Sequence, residues 1–430
     1  MSSGARTRIT VVVLGDLGRS PRMLYHARSL GDTDTDVDLV GYVTHALPRA
    51  VAEHPRVHVH RLWAPSTGAG ARLPRLAFLV YALWRALRQT LELSWVLLVR
   101  VPRPSVVLVQ NPPAIPTLLV ALVVCRLRAA RLVIDWHNLG HAMLGLTLGV
   151  AHPVVRAATV YERTFGRAAD AHLCVSRAMR AALAERWGIP NAVVLYDRPA
   201  DVFVPTPADT RQALFRRLGA DLDPRLASDG PDRPALVVSP SSWTVDEDID
   251  LLLAALVDLD RRLLLSMGVA RAPAPRIVVA LTGDGPLRAR YLPRIGALAL
   301  SAVAIRTLWL DAADYPGVVG AADLGVSVHR SASGFDLPMK VADMFGAGVP
   351  VCALDYAPCL REQIDDGTTG VLFTSADELA THLERLLGEY PARTTALDQL
   401  RAAVVARESI RWADAWKENA RPVLVPEHGR

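Results

Sequence analysis

SASGFDLPMKVADMFGAGVPV, Ser331–Val351, decides how the second half of this 430-residue chain is read. Gly334 supplies a flexible turn, and Asp336 is placed to cap the helix that Pro338 begins, because proline is tolerated at a helix start and a short carboxylate accepts from first-turn N–H groups. That helix ends at Gly346–Gly348, and an apolar strand, Val349–Ala353, resumes at once. Lys340 and Asp343 stand three apart, so they share one face of it. Two readings fit the pair. One is an ordinary helical ion pair, worth about 0.2–0.5 kcal/mol. The other is a sugar-nucleotide site, in which the helix N-terminus and Lys340 meet a diphosphate while Asp343 accepts ribose hydroxyls one turn deeper.

The same alternation runs outward in both directions, and it predicts parallel α/β sheets. Seven short apolar runs in the first half read as strands: Ile9–Leu14, Val37–Val43, Val57–Leu62, Ser105–Gln110, Leu132–Asp135, Ala171–Val175 and Ala192–Leu195. Six more follow: Leu236–Ser239, Ile277–Leu281, Ile305–Leu308, Leu324–Val328, Val349–Ala353 and Val371–Phe373. The expectation is two doubly wound, Rossmann-like domains, 1–205 and 235–415, facing across a cleft. A Pro-, Asp- and Ala-rich passage, 206–234, reads as the linker and 416–430 as a tail.

A net charge of +5, from 48 basic and 43 acidic residues, gives no argument for nucleic acid as a partner. The four cysteines form no CxxC pair, and Cys125 and Cys174 sit in apolar runs, which favours a reduced, cytoplasmic or cytosol-facing protein over a disulfide scaffold. The apolar run at Ile9 is too short for a secretory signal or a spanning helix. Residues 73–101 are apolar but broken by Arg75, Arg85, Arg88, Glu92 and Arg100. They read as a helix pair with two possible settings, the protein core or a membrane interface. The interfacial aromatics Phe78, Tyr81, Trp84 and Trp95 favour the interface.

Polar groups gather where strands end. Gly15, Asp16, Gly18 and Arg19 follow the first strand, as either a tight turn or a ligand loop; the glycines do not make GxGxxG. Asp135, His137, Asn138 and His141 follow the fifth, and a histidine steadied by a carboxylate can take a proton from a sugar hydroxyl. The stiff segment 110–117, which includes Asn111, shapes the same edge or is simply a rigid loop. In the second half, Ser242, Trp243 and Thr244 precede a helix beginning near Asp246, and read either as caps or as a phosphate site. Asp246-Glu247-Asp248 superficially resembles a metal-binding DxD, but its place at a helix start speaks against that. Gly283 and Gly285 form a further strand-end turn open to a base or phosphate.

Seven segments in order, VVVLGDLGRSPRM, QNPPAIPTL, LVIDWHN, VLYDRP, SWTVDED, TGDGPL and SGFDLPMKVADMFG, resemble the chitobiosyldiphosphodolichol β-mannosyltransferases (glycosyltransferase family 33) from about residue 9 to 375. PMKVADMFGAGVPV is similar to the PxKxxE…AxGxPV element of GT-B enzymes, with Asp343 where most carry Glu. The resemblance implies a GT-B fold and inverting transfer from GDP-mannose to a polyprenyl-diphosphate-linked sugar at the cytosolic membrane face, without a bound metal or cofactor. It implies His137 as base with Asp16 as rival and Asp135 as orienter. Donor contacts fall to Gly15, Gly18, Arg19, Ser242, Trp243, Thr244, Gly283, Gly285, Ser333, Gly334, Asp336, Leu337, Pro338, Met339, Lys340 and Asp343, and acceptor contacts to Asn111, Asn138 and His141. Eukaryotic members of that family have an N-terminal membrane anchor before the first strand and none is expected here, while the Ala/Arg-rich composition resembles that of a high-GC bacterial genome. That leaves open another nucleotide-sugar donor, a soluble or bacterial polyprenyl-linked acceptor, or a sugar-nucleotide epimerase or hydrolase on the same fold.

Overall fold

The computed structural model describes residues 7–64, 75–219, 221–311, 313–407 and 410–425, with the side chains of 75–80, 82 and 83 left aside. Two compact units emerge, 1–196 with 413–430 and 197–412.

The first unit is built on β1 (Arg8–Asp16), β2 (Asp36–Tyr42), β3 (Val57–Arg61), β4 (Val106–Asn111), β5 (Arg131–Trp136), β6 (Ala171–Cys174) and β7 (Ala192–Val194), in the order β3-β2-β1-β4-β5-β6-β7. The second uses β8 (Ala235–Pro240), β9 (Ile277–Thr282), β10 (Val303–Leu308), β11 (Leu324–Ser327), β12 (Val351–Leu354) and β13 (Gly370–Phe373), in the order β10-β9-β8-β11-β12-β13. Every pairing in both sheets is parallel. Each unit is thus a doubly wound Rossmann-like domain, and all thirteen expected strands are present.

Parallel strands are covered on both faces, so consecutive residues serve opposite cores. Val237 and Val279 pack with helix residues Leu252 and Leu256 on one side of the second sheet. Leu236, Val238, Val278 and Ala280 join Phe215, Val341 and Phe345 on the other.

The helices that matter for the site are α1 (Pro21–Asp32), α2 (Arg75–Trp95), α3 (Thr117–Arg128), α4 (Gly140–Leu148), α5 (Pro153–Gly166), α6 (Ala208–Leu218), α7 (Ile249–Met267) and α8 (Met339–Gly346). Three expectations need correction. The 206–234 passage is no linker: α6 and a 3-10 turn, Pro224–Ala227, bury Phe215 and Leu226 in the second core. The 416–430 tail is ordered helix as far as Leu424, with Trp416 buried in the first unit; residues 426–430 lie outside the described ones. Residues 73–101 form one helix, α2, running on into a π-helical turn, Val96–Arg100, rather than a pair. Leu73, Pro74 and the Phe78 side chain lie outside the described residues.

Candidate functional site

Strand order reverses between β1 and β4 in the first sheet and between β8 and β11 in the second. Doubly wound sheets bind ligands off the carboxyl ends of strands at such a point. The predicted loops follow these strands or, for His137 and for Gly283 and Gly285, the neighbouring β5 and β9.

In the first unit, Asp135 ends β5 fully buried. Arg22 of α1 grips it from Nε at 2.8 Å and Nη2 at 2.9 Å, and donates its third nitrogen to the Leu195 carbonyl. Trp416 donates its indole N–H to His26 Nδ1 at 2.9 Å, so His26 carries its proton on Nε2 and gives it to Asp135 at 3.2 Å. Burial works to raise the Asp135 carboxyl, but the Arg22 guanidinium and His137 outweigh it and hold it well below the usual range. Burial pushes the His26 imidazole down, keeping that ring neutral. His137 Nε2 lies 2.9 Å from Asp135 Oδ2, and an ionised carboxylate can only accept. The proton of His137 is therefore on Nε2, leaving Nδ1 on a partly exposed ring as the atom that can receive another. That is the geometry of an oriented general base.

The rival is differently placed. Asp16 accepts from Gly18 N at 3.2 Å, Thr44 N at 3.2 Å and Thr44 Oγ1 at 2.5 Å, and it also contacts His45 Nδ1. Although burial opposes them, these hydrogen bonds hold its carboxyl below the usual range. A carboxylate so engaged is a poor proton acceptor, and its work is to tie the β1 turn to 44–45. Gly18 is needed there because a Cβ would come within 2.8 Å of the His45 Cβ. Arg19 is exposed on the same turn, and Gly15 has ordinary space around it.

Four residues beyond His137 a second dyad appears. Glu162 of α5, fully buried, accepts from Gly140 N at 2.7 Å, His141 N at 3.0 Å, Asn111 Nδ2 at 2.7 Å and His141 Nδ1 at 2.7 Å. His141 thus keeps its Nε2 lone pair free for a ligand. Asn111 also donates to the Asn138 carbonyl, and its buried Oδ1 has no partner among the described residues. Asn138 Oδ1 caps Leu139 N at 2.7 Å. His141 and Glu162 line an open cavity of about 770 Å³.

In the second unit the organising group is Glu247. Its carboxylate accepts from Ser241 Oγ at 2.5 Å, Ser242 N at 2.8 Å and Trp243 N at 2.9 Å, and it also pairs with Lys340 Nζ. Burial raises the Glu247 carboxyl, but Lys340 and these donors win and hold it below the usual range. Of the two readings of Lys340 and Asp343, the helical ion pair is not the one formed: Lys340 reaches across to Glu247 in the β8 loop. Burial, with the Asp197 charge adding to it and Lys340 opposing, pushes the Asp343 carboxyl up to about 8. Helix α7 is capped by Asp248, whose carboxylate accepts from Leu251 N at 3.0 Å, and not by Ser242 or Thr244.

Asp336 does not cap α8, which starts after Pro338 without a side-chain cap. It instead ties the 331–336 loop together, accepting from Ser331 Oγ, from Ser333 Oγ at 3.3 Å and from His329 Nε2 at 3.2 Å. Gly334 is required at its turn because φ is +77°, a left-handed conformation. Leu337 is buried behind that loop while Met339 opens the helix. Gly283 and Gly285 do not offer open backbone: a Cβ at either would stand 2.0 Å from the Ser241 carbonyl oxygen or 1.8 Å from that of Ser242. They let the β9 turn press on the β8 loop, and Trp243, itself at φ +50°, donates its indole N–H to the Gly283 carbonyl at 3.1 Å.

Residues 18–200 match the Glycosyl transferase 4-like domain, and 238–389 match Glycosyl transferases group 1. The chain is 37% identical to the chitobiosyldiphosphodolichol beta-mannosyltransferase of Mus musculus over 98% of this chain and 90% of that one. It belongs to that family. It is also 40% identical to the UDP-glycosyltransferase TURAN of Arabidopsis thaliana, over 98% of both chains. The fold matches sucrose-phosphate synthase of Thermosynechococcus elongatus with a TM-score of 0.66 at 17% identity, covering 96% of this chain and 97% of that one. The chain is a glycosyltransferase with the GT-B type of paired Rossmann-like domains.

For a member of this family, the residues that sequence reading passed over are as telling as those it found. Glu162 stands on the buried stripe Val155–Ala158–Glu162–Gly166 of α5, and a carboxylate at a core position of an amphipathic helix was the available signal. Glu247 lay inside the acidic triplet set aside as an unlikely metal motif. Arg22 sat in a quoted motif, and nothing in its spacing linked it to Asp135, 113 residues away.

Proposed function

We propose that this chain moves mannose from GDP-mannose to a lipid-diphosphate-linked sugar, inverting the anomeric centre to give a β-mannoside. The observation that carries the reading is the 37% identity along nearly the whole chain to an enzyme named for that transfer. In the proposed step the acceptor hydroxyl gives its proton to His137 Nδ1 as its oxygen attacks C1. The C1–phosphate oxygen bond breaks and GDP departs. Asp135 holds the ring and steadies the imidazolium formed. Lys340 and the N-terminus of α8 meet the charge growing on the diphosphate, so the reading assigns no metal, and Asp343 faces the ribose. EDTA should therefore leave turnover unchanged.

We place the acceptor face of the enzyme against a membrane, on the cytosolic side. No helix among the described residues is long and apolar enough to cross one. Yet Trp84, Leu87, Leu91, Trp95 and Leu98 are exposed at three- and four-residue spacing, an apolar stripe along α2 and the π-helical turn that continues it. Arg88 lies over Trp63 and Trp84, at 4.6 and 5.8 Å, and Arg100 over Trp95 at 5.2 Å, as suits a headgroup boundary. Flotation with anionic vesicles tests this: Trp84→Ser with Leu91→Ser should stay at the bottom of the gradient.

A second donor reading has a specific motive, the UDP-glycosyltransferase name of the 40% identical relative. A thermal-shift panel of GDP-, UDP-, ADP- and dTDP-sugars separates the two. A ligand at 100 times its Kd adds about 2.7 kcal/mol, and GDP-mannose should be the sugar nucleotide that does so. Stabilisation by UDP-sugars alone would replace the donor. Release of free mannose without any acceptor would instead mark a hydrolase.

A further inference from the structure

The first unit contains an open cavity of about 770 Å³ roofed by α2 and floored by the 112–115 turn and α4. Its lining is mostly apolar, with Pro112, Pro113, Ala114, Ile115, Met143 and Leu144 among its walls. Ile115, Met143 and Leu144 are also substantially exposed, so the apolar wall continues outward to the surface. The same two helices also expose Trp84, Leu87 and Leu91 of α2 and Leu146 and Leu148 of α4. An apolar channel leading from an apolar surface into the protein admits a hydrocarbon chain without taking it through water. Among the described lining residues Arg85 supplies the cation, Gln89 is anchored to the Tyr42 hydroxyl at 2.8 Å, and Tyr81 and Gln110 add neutral polar groups. The Glu162 carboxylate also lines the cavity, but Gly140 N, His141 N, His141 Nδ1 and Asn111 Nδ2 already occupy it, and His141 presents the Nε2 that this leaves free. A cation and neutral hydrogen-bonding groups beside a hydrocarbon slot, with the Glu162 carboxylate already engaged by four donors, suit a lipid diphosphate at the junction of its chain and headgroup.

We propose that this cavity binds the first carbons of the acceptor's prenyl chain, with Arg85 and His141 on the adjoining diphosphate. The proposal rests on the lipid-linked acceptor assigned above and locates it on the chain. It makes the cavity a subsite for the start of the lipid chain: recognition of the lipid lies in α2 and α4, separate from the His137 base.

Phytanyl diphosphate carrying a diazirine near its first carbons tests the site without requiring turnover. Irradiation should label residues of α2, the 112–115 turn or α4, with Met143 and Leu144 prominent, and unlabelled phytanyl diphosphate should suppress the labelling. Adducts confined to other parts of the chain overturn the proposal. So does labelling of the cavity by a diazirine phospholipid that phytanyl diphosphate does not displace. Two variants follow the same idea in turnover: Ala86→Trp fills the slot, and Leu144→Glu places a charge in its wall. Each should raise KM at least about tenfold for a phytanyl-linked acceptor, since loss of two or three buried methylenes is worth that much. KM for the same sugar diphosphate on a short alkyl group, and KM for the donor, should not move. A rise shared by both acceptors refutes the chain subsite. Labelling of the cavity with no transfer to any acceptor leaves the cavity standing and removes the functional reading; transfer with no labelling does the reverse.

Discussion

Asp343 should make the second unit lose stability as the pH rises through neutrality. Its carboxyl is pushed up to about 8 by burial, with the Asp197 charge adding and Lys340 opposing, while its ordinary value is 3.8. Between those values the folded chain binds a proton that the unfolded chain has released. A group of this kind contributes stability in full below the unfolded value and loses it as pH climbs to the folded one. The slope approaches about 1.36 kcal/mol per pH unit and flattens near pH 8, so the loss between pH 6 and pH 8 comes to about 2 kcal/mol. Asparagine has the shape of the protonated acid and cannot ionise, so Asp343→Asn should remove this dependence and nothing larger. The assay is chemical denaturation at pH 6, 7 and 8, read by hydrogen exchange in α8 and corrected for the intrinsic rate at each pH. Wild type should lose about 2 kcal/mol more than the variant across that span. Parallel curves for the two proteins would show that the carboxyl is already ionised in the fold.

Three other outcomes follow from the geometry. Arg22→Met leaves Asp135 buried without its cation and should cost about 3–5 kcal/mol in unfolding experiments, whereas an exposed arginine such as Arg19 should cost little when replaced. Glu247→Gln removes the charge that holds Lys340 and the N–H groups of Ser242 and Trp243; donor KM should rise by about tenfold or more in steady-state kinetics, with the acceptor KM unchanged. Gly283→Ala meets the Ser241 carbonyl at 2.0 Å from a φ of +105°, and thermal melting should show a loss of at least about 2 kcal/mol.

The sheets were legible because parallel strands covered on both faces read as uninterrupted apolar runs, such as Leu236–Ser239 and Ile277–Leu281. Their loops were legible for a related reason: polar side chains and glycines gather directly after such runs, and His137, Asn138, Ser242 and Lys340 all stand at strand ends or on the helix entered from one. Partnership was not legible. Lys340 had an acid three residues away on its own helix and chose Glu247, 93 residues distant, because folding set the β8 loop against α8. Burial pushes the Asp343 carboxyl up to about 8, with the Asp197 charge adding and Lys340 opposing, a shift that no local pattern encodes. Asp16, the rival base, is engaged by Thr44 and His45, 28 and 29 residues away, which no local spacing signals. The 206–234 passage reads as linker by composition, yet Phe215 and Leu226 complete a core whose other members lie in β8, β9 and α8.

The most direct test of β-mannosyl transfer is the anomeric configuration of the product, read by NMR after incubating the enzyme with GDP-mannose and a phytanyl-diphosphate chitobiose. The account predicts a single new β-mannoside, one GDP released per transfer, and a fall in kcat of about 10²–10⁴ in His137→Ala. An α-linked product, or undiminished transfer by His137→Ala, would contradict it.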